Sequence, residues 1–492
     1  MISLHLPALQ VVVPLMTAAL CILLRRATFS ATLAALASWV SLGIAVALYI
    51  QVAEEGPFSY LMGGWEAPWG IEYRVDRLSA FVLVLVSGIG SITSLFAPSS
   101  VAREISEDRI YIFNAMYLLT LAGLLGMTIT GDAFNLFVFL EISSLSSYVL
   151  ISLGRDRRAL TAALRYLVLG TIGATFYVIG VGMLYQMTGT LNMADLAERL
   201  PAVAHTRTVL AAVGFLTVGI GLKLGLFPLH FWLPAAYTRA PSVVTAFLAA
   251  TATKVSIYVL LRIYYTFFQA SIFENLPVQW FLFALALAAI ISMSAGAIFQ
   301  EDAKRLLAYS SVAQIGYMIL GVSLVTATGL SAGILHMFNH ALMKSTLFLA
   351  LGCVFFRIGS VRIADMAGLG RAMPLTMAAF VIGALSLIGV PLTAGFISKW
   401  FLIQAALDQG WWAVAVIVPA ASLLAMAYLW KIVEIAYFQP RPAGTDAVQD
   451  APAHMLVPVW ILAGANIYFG ISTEFSLGSA KAAALFLMGS AP

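Results

Sequence analysis

His336, His340 and Lys344 recur at a spacing of four. On an α-helix that spacing stacks them on one face, over roughly 12 Å at 1.5 Å per residue. Titratable groups about 6 Å apart, with water between them, can pass protons along or across a membrane. Asn339 and Ser345 flank the row. Two histidines at i and i+4 can also share a zinc ion, but no carboxylate or cysteine accompanies these two. Histidines packed with satisfied hydrogen bonds are the plainer alternative.

Other residues fit the same chemistry. Glu141, in Phe134-Asn-Leu-Phe-Val-Phe-Leu-Glu141-Ile-Ser-Ser-Leu-Ser-Ser147, is the acidic residue that falls in the middle of a long apolar run. An ionised carboxylate at that depth costs at least about 2.5 kcal/mol, so it needs a cation, water or a proton. A neutral, hydrogen-bonded glutamate is the structural alternative. Lys223 precedes Pro228 by five residues and is expected to pair with Glu141. Lys254 lies near the centre of the next apolar run among Thr251, Thr253 and Ser256, which reads as a hydrated seam. Its alternative is a snorkelling lysine. Lys399 follows Pro391 by eight residues between Ser398 and Trp400, and its alternative is a lysine near the interface. His230, just after Pro228, either extends the route or caps a broken helix end. Lys431 and Glu434, at i and i+3, read as an interfacial ion pair, and Arg165 and Arg262 read as snorkelling at span ends.

These residues lie in a chain of 492 residues that is 62% hydrophobic and only 10% charged. A soluble protein carries about 25% charge, so the solvent implied here is lipid. Fourteen apolar segments of spanning length run from near 4–24 to near 454–474. Helices are expected, because lipid cannot satisfy an open backbone and the runs are too continuous for barrel strands. The fold class is therefore all-α integral membrane. Cys21 and Cys353 stand alone in apolar runs, which leaves no CxxC, iron–sulfur, structural zinc or disulfide pattern. No phosphate loop, nucleophile motif or dinucleotide fingerprint is present. No cofactor and no resident metal are expected. Met1–Leu20 has no basic n-region and reads as a retained first span with its N-terminus outside.

Loop charge supports the span count. With the N-terminus outside, the cytoplasmic loops hold Arg25, Arg26, Arg103, Arg109, Arg155, Arg157, Arg158, Arg239, Lys304, Arg305, Arg357, Arg362, Arg371 and Arg441, against Arg74, Arg77, Arg199, Arg207 and Lys481 opposite. Cytoplasmic loops are the ones enriched in Lys and Arg. The C-terminus is then also outside. The outer loop Glu54–Arg77, with Trp65, Trp69 and Tyr73, suits an interfacial cap.

Pro and Gly interrupt two spans at depth, in Lys223-Leu-Gly-Leu-Phe-Pro228 and Leu387-Ile-Gly-Val-Pro391. Ile110 to Pro228 is 118 residues and Val278 to Pro391 is 113. Each stretch holds four helices, the last broken, and the next span completes a five-helix unit. An odd number of helices turns the second copy upside down, which gives an inverted repeat. Ordinary proline kinks are the alternative. The expected organisation is helices 1–3 and the outer loop in 1–109, one repeat in 110–265, the second in 277–436, and a cytoplasmic connector, fourteenth helix and tail in 437–492.

Phe-Pro-Leu-His-Phe-Trp-Leu-Pro at 227–234, the preceding Lys223, Ala-Pro-Ser at 240–242, Thr253-Lys254 and His336-x3-His340-x3-Lys344 resemble the antiporter-like subunits of respiratory complex I and of Mrp cation/proton antiporters. The resemblance covers most of the chain. It implies fourteen helices, two inverted five-helix repeats broken in the seventh and twelfth helices, and a central line of Lys, His and Glu that conducts protons. Glu141 matches the fifth-helix glutamate, Lys223 its seventh-helix partner and Lys254 the eighth-helix lysine. His336, His340 and Lys344 match the polar face of the eleventh helix, and Lys399 the twelfth-helix terminal residue. A lysine rather than glutamate at 399, and Ala235-Ala236 after Pro234 where many relatives carry Asp, place the chain nearest the D-type Mrp branch.

The resemblance implies a subunit of a multi-subunit Na+ or K+/H+ antiporter in a bacterial or archaeal cytoplasmic membrane. Its partners would be other subunits of the assembly, protons, Na+ or K+, and lipid, with no nucleic acid. The alternative is a proton-pumping subunit, without its own redox centre, of an NADH-quinone oxidoreductase or membrane-bound hydrogenase. A self-sufficient solute transporter or a passive scaffold leaves the deep ionisable residues unexplained.

Overall fold

The computed structural model describes residues 5–442 and 448–489. The helices are α1 (Leu6–Leu24), α2 (Ala27–Glu55), α3 (Arg77–Glu104), α4 (Ile110–Ile129), α5 (Ala133–Ser152), α6 (Arg158–Thr188), α7 (Met193–Val203), α8 (Arg207–Leu224), α9 (Trp232–Arg239), α10 (Ser242–Ala250), α11 (Ala252–Leu261), α12 (Ile272–Asn275), α13 (Val278–Ile298), α14 (Ala303–Ser323), α15 (Ala327–Ile358), α16 (Leu369–Ala372), α17 (Pro374–Ile388), α18 (Ala394–Asp408), α19 (Trp412–Phe438), α20 (Ala453–Ile471) and α21 (Glu474–Leu487). Among the described residues, 13 helical segments are long and apolar enough to cross a membrane. The broken pair α17–α18 supplies the fourteenth crossing. The connector expected near 439–454 falls partly on 443–447, outside the described residues.

The two repeats carry matching joints. Asp132 and Asp302 each N-cap a helix, α5 and α14, accepting from the amides of Asn135 (2.7 Å) and Arg305 (2.9 Å). Each forms an antiparallel bridge to a strand-like residue, Asn192 and Arg362, just beyond the left-handed glycine that ends the long helix α6 or α15. Asp132 and Asp302, Gly189 and Gly359, and Asn192 and Arg362 are all 170 positions apart. The first joint sits with Asp76 at one end of α3, and the second with Glu104 at the other end. The copies are therefore inverted.

Both breaks have the same local cause. α8 ends at Gly225 (φ 74°) and α17 at Gly389 (φ 91°), both left-handed. The next amide returns to a carbonyl five residues back, Leu226 to Gly221 (2.9 Å) and Val390 to Leu385 (3.0 Å). The glycine closes the last turn, and the following proline stops the helix from resuming.

Elements outside the expected spans also form, among them the short α7 between α6 and α8. The outer loop folds as an antiparallel hairpin, β1 (Phe58–Leu61) with β2 (Glu72–Val75), which pairs Phe58 with Val75 and Leu61 with Glu72. Its tip exposes Trp65 (71%) and Trp69 (92%), the amphipathic residues of a membrane interface. The tail forms α21, packed on α3 and α15 through Ala480, Ala483 and Ala484. We call the two ends of the molecule the hairpin face and the arginine-rich face, the latter carrying Arg103, Arg155, Arg239 and Arg362.

Candidate functional site

Glu141 and Lys223 do pair. The Lys223 ammonium lies 3.8 Å from Glu141 Oε1, donates to Ser144 (2.6 Å) and Tyr148 (3.3 Å), and is 5% exposed. It occupies the last turn of α8, where unpaired carbonyls favour a cation. The Trp232 indole takes one of them, donating to Leu222 O (2.8 Å). On α5, Ser143, Ser146 and Ser147 donate to carbonyls of their own helix, which leaves Ser144 to face the lysine. The Glu141 side chain remains 23% exposed, on a face it shares with exposed Phe134, Val138 and Leu145.

Lys254 lies at a third break that carries no proline or glycine. Thr251 leaves helical geometry (φ −122°, ψ −57°) between α10 and α11. The Lys254 ammonium donates to Ala249 O and to Thr253 Oγ1 (3.3 Å), so the break supplies the lysine's ligands. The side chain is fully buried rather than snorkelling.

α15 presents the expected row. The rings of His336 and His340 lie parallel at 6.1 Å. His336 bonds Ser398 through Nδ1 (2.8 Å) and Gln314 through Nε2 (2.9 Å). His340 is fully buried, and neither ring nitrogen has a hydrogen-bonding partner among the described residues. Lys344 follows it one turn further along the same face of α15. Lys344 donates to Leu307 O (2.8 Å) and to the Ser310 hydroxyl. Lys399 reaches back from α18 to cap the broken end of α17, donating to Leu387 O (3.0 Å), Ile388 O (2.8 Å) and Ser422 (2.9 Å). It is 5% exposed, so it is not an interfacial lysine.

His230 stands apart. It is buried between Phe227 and Phe231, and no hydrogen bond joins it to the Lys223 cluster. Arg165 is exposed, as a snorkelling residue is. Three expectations are corrected. Arg262 is buried, with Nη2 2.7 Å from Asp76 Oδ1. Lys304, placed by its sequence in a loop, is buried 3.9 Å from Glu104. Lys431 does not pair with Glu434 but donates to Gln300 O (3.0 Å) just past the end of α13, because free carbonyls there attract the ammonium.

Sequence reasoning missed Ser144, Tyr148, Gln314, Ser310 and Ser422. Hydroxyls and amides are common in spans, and only the tertiary contact singles these out. It also missed α3 as a strut. Glu104 accepts from the Ser242 amide (2.9 Å) at the start of α10, and Asp76 holds Arg262 just past the end of α11, so both ends of the Lys254 span are tied to one helix. Burial alone would push the Asp76 carboxyl up, but the Arg262 guanidinium and the Ser79 amide hold it below the usual carboxylate range.

Residues 130–425 match the family described as "NADH:quinone oxidoreductase/Mrp antiporter, TM". The chain is 43% identical, over 96% of both chains, to the N-type subunit of the NADH-quinone oxidoreductase of Desulforudis audaxviator. It is 33% identical to the D-type subunit of the Na(+)/H(+) antiporter of Alkalihalophilus pseudofirmus, over 88% of this chain and 86% of that one. Its fold matches a chain of the Mrp complex from a Dietzia species with a TM-score of 0.91 at 27% identity, covering 99% and 98% of the two chains.

Proposed function

Because the chain belongs to the NADH:quinone oxidoreductase/Mrp antiporter transmembrane family, we propose that it is the D-type proton-translocating subunit of a multi-subunit monovalent cation/proton antiporter. Protons move between Glu141–Lys223, Lys254, the His336–His340–Lys344 row and Lys399. The observation that carries this reading is how the lysines are held. Lys254, Lys344 and Lys399 rest on backbone carbonyls and hydroxyls, not carboxylates. Like charges in a low-dielectric interior repel strongly. A proton arriving at one site therefore destabilises the charge on the next and drives it onward. His340, whose nitrogens need partners, takes water as the link. His230 lies outside this line.

The basic loop residues support a reading in which the arginine-rich face lies in the cytoplasm and both termini lie outside, in a bacterial or archaeal cytoplasmic membrane. Glu141 opens onto an apolar face, where lipid would be a poor neighbour for a carboxylate. A neighbouring subunit covering α5 removes that conflict.

The 43% identity to a quinone oxidoreductase subunit favours a second reading, a pump driven by a redox partner. Purifying the native assembly separates the two. Everted vesicles carrying the intact assembly should collapse a proton gradient on addition of Na+ or K+. NADH- or hydrogen-driven proton uptake without that collapse establishes the second reading instead.

A further inference from the structure

A cavity of about 600 Å³ lies at the hairpin face, with exposed Glu198 and Gln269 among its lining and Asp76, Tyr258 and Arg262 deeper in the protein. Arg262 Nε donates to the Tyr258 hydroxyl (2.9 Å), which donates to Thr128 O (2.6 Å). Lys254, Tyr258 and Arg262 follow one another at spacing four, so they share one face of the same span over roughly 12 Å. Beyond Leu261 the helix widens into a π-turn, Arg262–Phe267, which places both Arg262 and Thr266 in the cavity wall. Such turns recur at functional positions. The Asp76–Arg262 pair has no part in the relay above, and buried ion pairs are weak stabilisers compared with apolar replacements.

We propose that this cavity is an aqueous vestibule through which the Lys254 end of the relay exchanges protons with the hairpin side. The ligand class is water, and Asp76 neutralises the Arg262 guanidinium at the floor, so the pair presents no uncompensated positive charge to an entering proton. The inference rests on the proton-translocating function proposed above.

The test uses the whole assembly with Thr266→Cys, the native Cys21 and Cys353 being buried. A membrane-impermeant methanethiosulfonate reagent is added to right-side-out and to everted vesicles, and proton flux is read before and after modification of each preparation. Trp69→Cys at the exposed hairpin tip is the control for sidedness. The expected result is that Thr266→Cys reacts only from the side that modifies Trp69→Cys. Its flux should then fall at least tenfold (about 1.4 kcal/mol of barrier) while the control's flux is unchanged. Modification of Thr266→Cys with flux retained overturns the vestibule, as does failure to react where Trp69→Cys reacts. If the unmodified wild-type assembly carries no proton flux at all, the proposed function fails, and the pattern of modification still reports separately whether water reaches the cavity.

Discussion

Replacing Glu141 with Gln removes the one carboxylate that, among the described residues, pairs with a relay lysine. At 3.8 Å, and with an effective dielectric constant of about 20, the pair's attraction is about 4 kcal/mol. Ser144 and Tyr148 remain as ligands of the ammonium, each contributing about 1 kcal/mol net. If every transit must charge Lys223, the loss raises the barrier by up to that 4 kcal/mol, a slowing of up to about 10³-fold. Partial exposure of Glu141 and relaxation around it set a lower bound of about tenfold. The assay is fluorescence-monitored proton movement in everted vesicles carrying the whole assembly, with its level checked by immunoblot. Glu141→Asp should retain much of the flux, and Ser144→Ala should lose only about two- to fivefold. A Glu141→Gln assembly present at wild-type level, with flux within twofold of wild type, would refute the reasoning.

Three further outcomes follow from the geometry. Gly389→Ala places a side chain at φ 91°, about 1–2 kcal/mol unfavourable, with its Cβ 3.0 Å from Lys399 Cδ; melting of the purified assembly should fall and proton flux should fall with it. Asp76→Asn strips the buried Arg262 of its counter-charge and should cost about 3–5 kcal/mol at neutral pH. Because the folded Asp76 carboxyl is held below the ordinary carboxylate range, its stabilisation is complete above the unfolded value of about 4 and is lost as pH falls through the lower folded value. Melting curves of wild type and Asp76→Asn should therefore converge in acid, and a constant gap across pH contradicts the assignment. His340→Leu removes two unsatisfied buried nitrogens, so the melting temperature should hold or rise while flux drops at least tenfold; a loss of stability with flux intact would reverse the roles given to this ring.

Much of the architecture was legible because lipid imposes a simple grammar. Apolar runs of spanning length, basic loops alternating with poor ones, and ionisable residues inside the runs each carry their meaning locally. The Glu141–Lys223 pair could be anticipated because a deep carboxylate must find a cation, and Lys223 was the cation nearest a break. The hidden parts depend on long-range contact. Thr251 breaks a helix with no proline or glycine to announce it, and the break matters because it frees the Ala249 carbonyl for Lys254. Asp76, Glu104, Arg262 and Lys304 sit at span ends, where charge is the ordinary expectation, and only the ion pairs formed at the two ends of α3 reveal them as buried. The hairpin has strands of four residues, too short for alternation to register.

The central claim is that the buried lysines conduct, and Lys254→Met tests it most directly. Methionine keeps the length and flexibility of the side chain but removes the ammonium that bonds Ala249 O. In everted vesicles with the assembly present at wild-type level, the account predicts loss of nearly all cation-driven proton movement. Undiminished proton movement through the Lys254→Met assembly would contradict it.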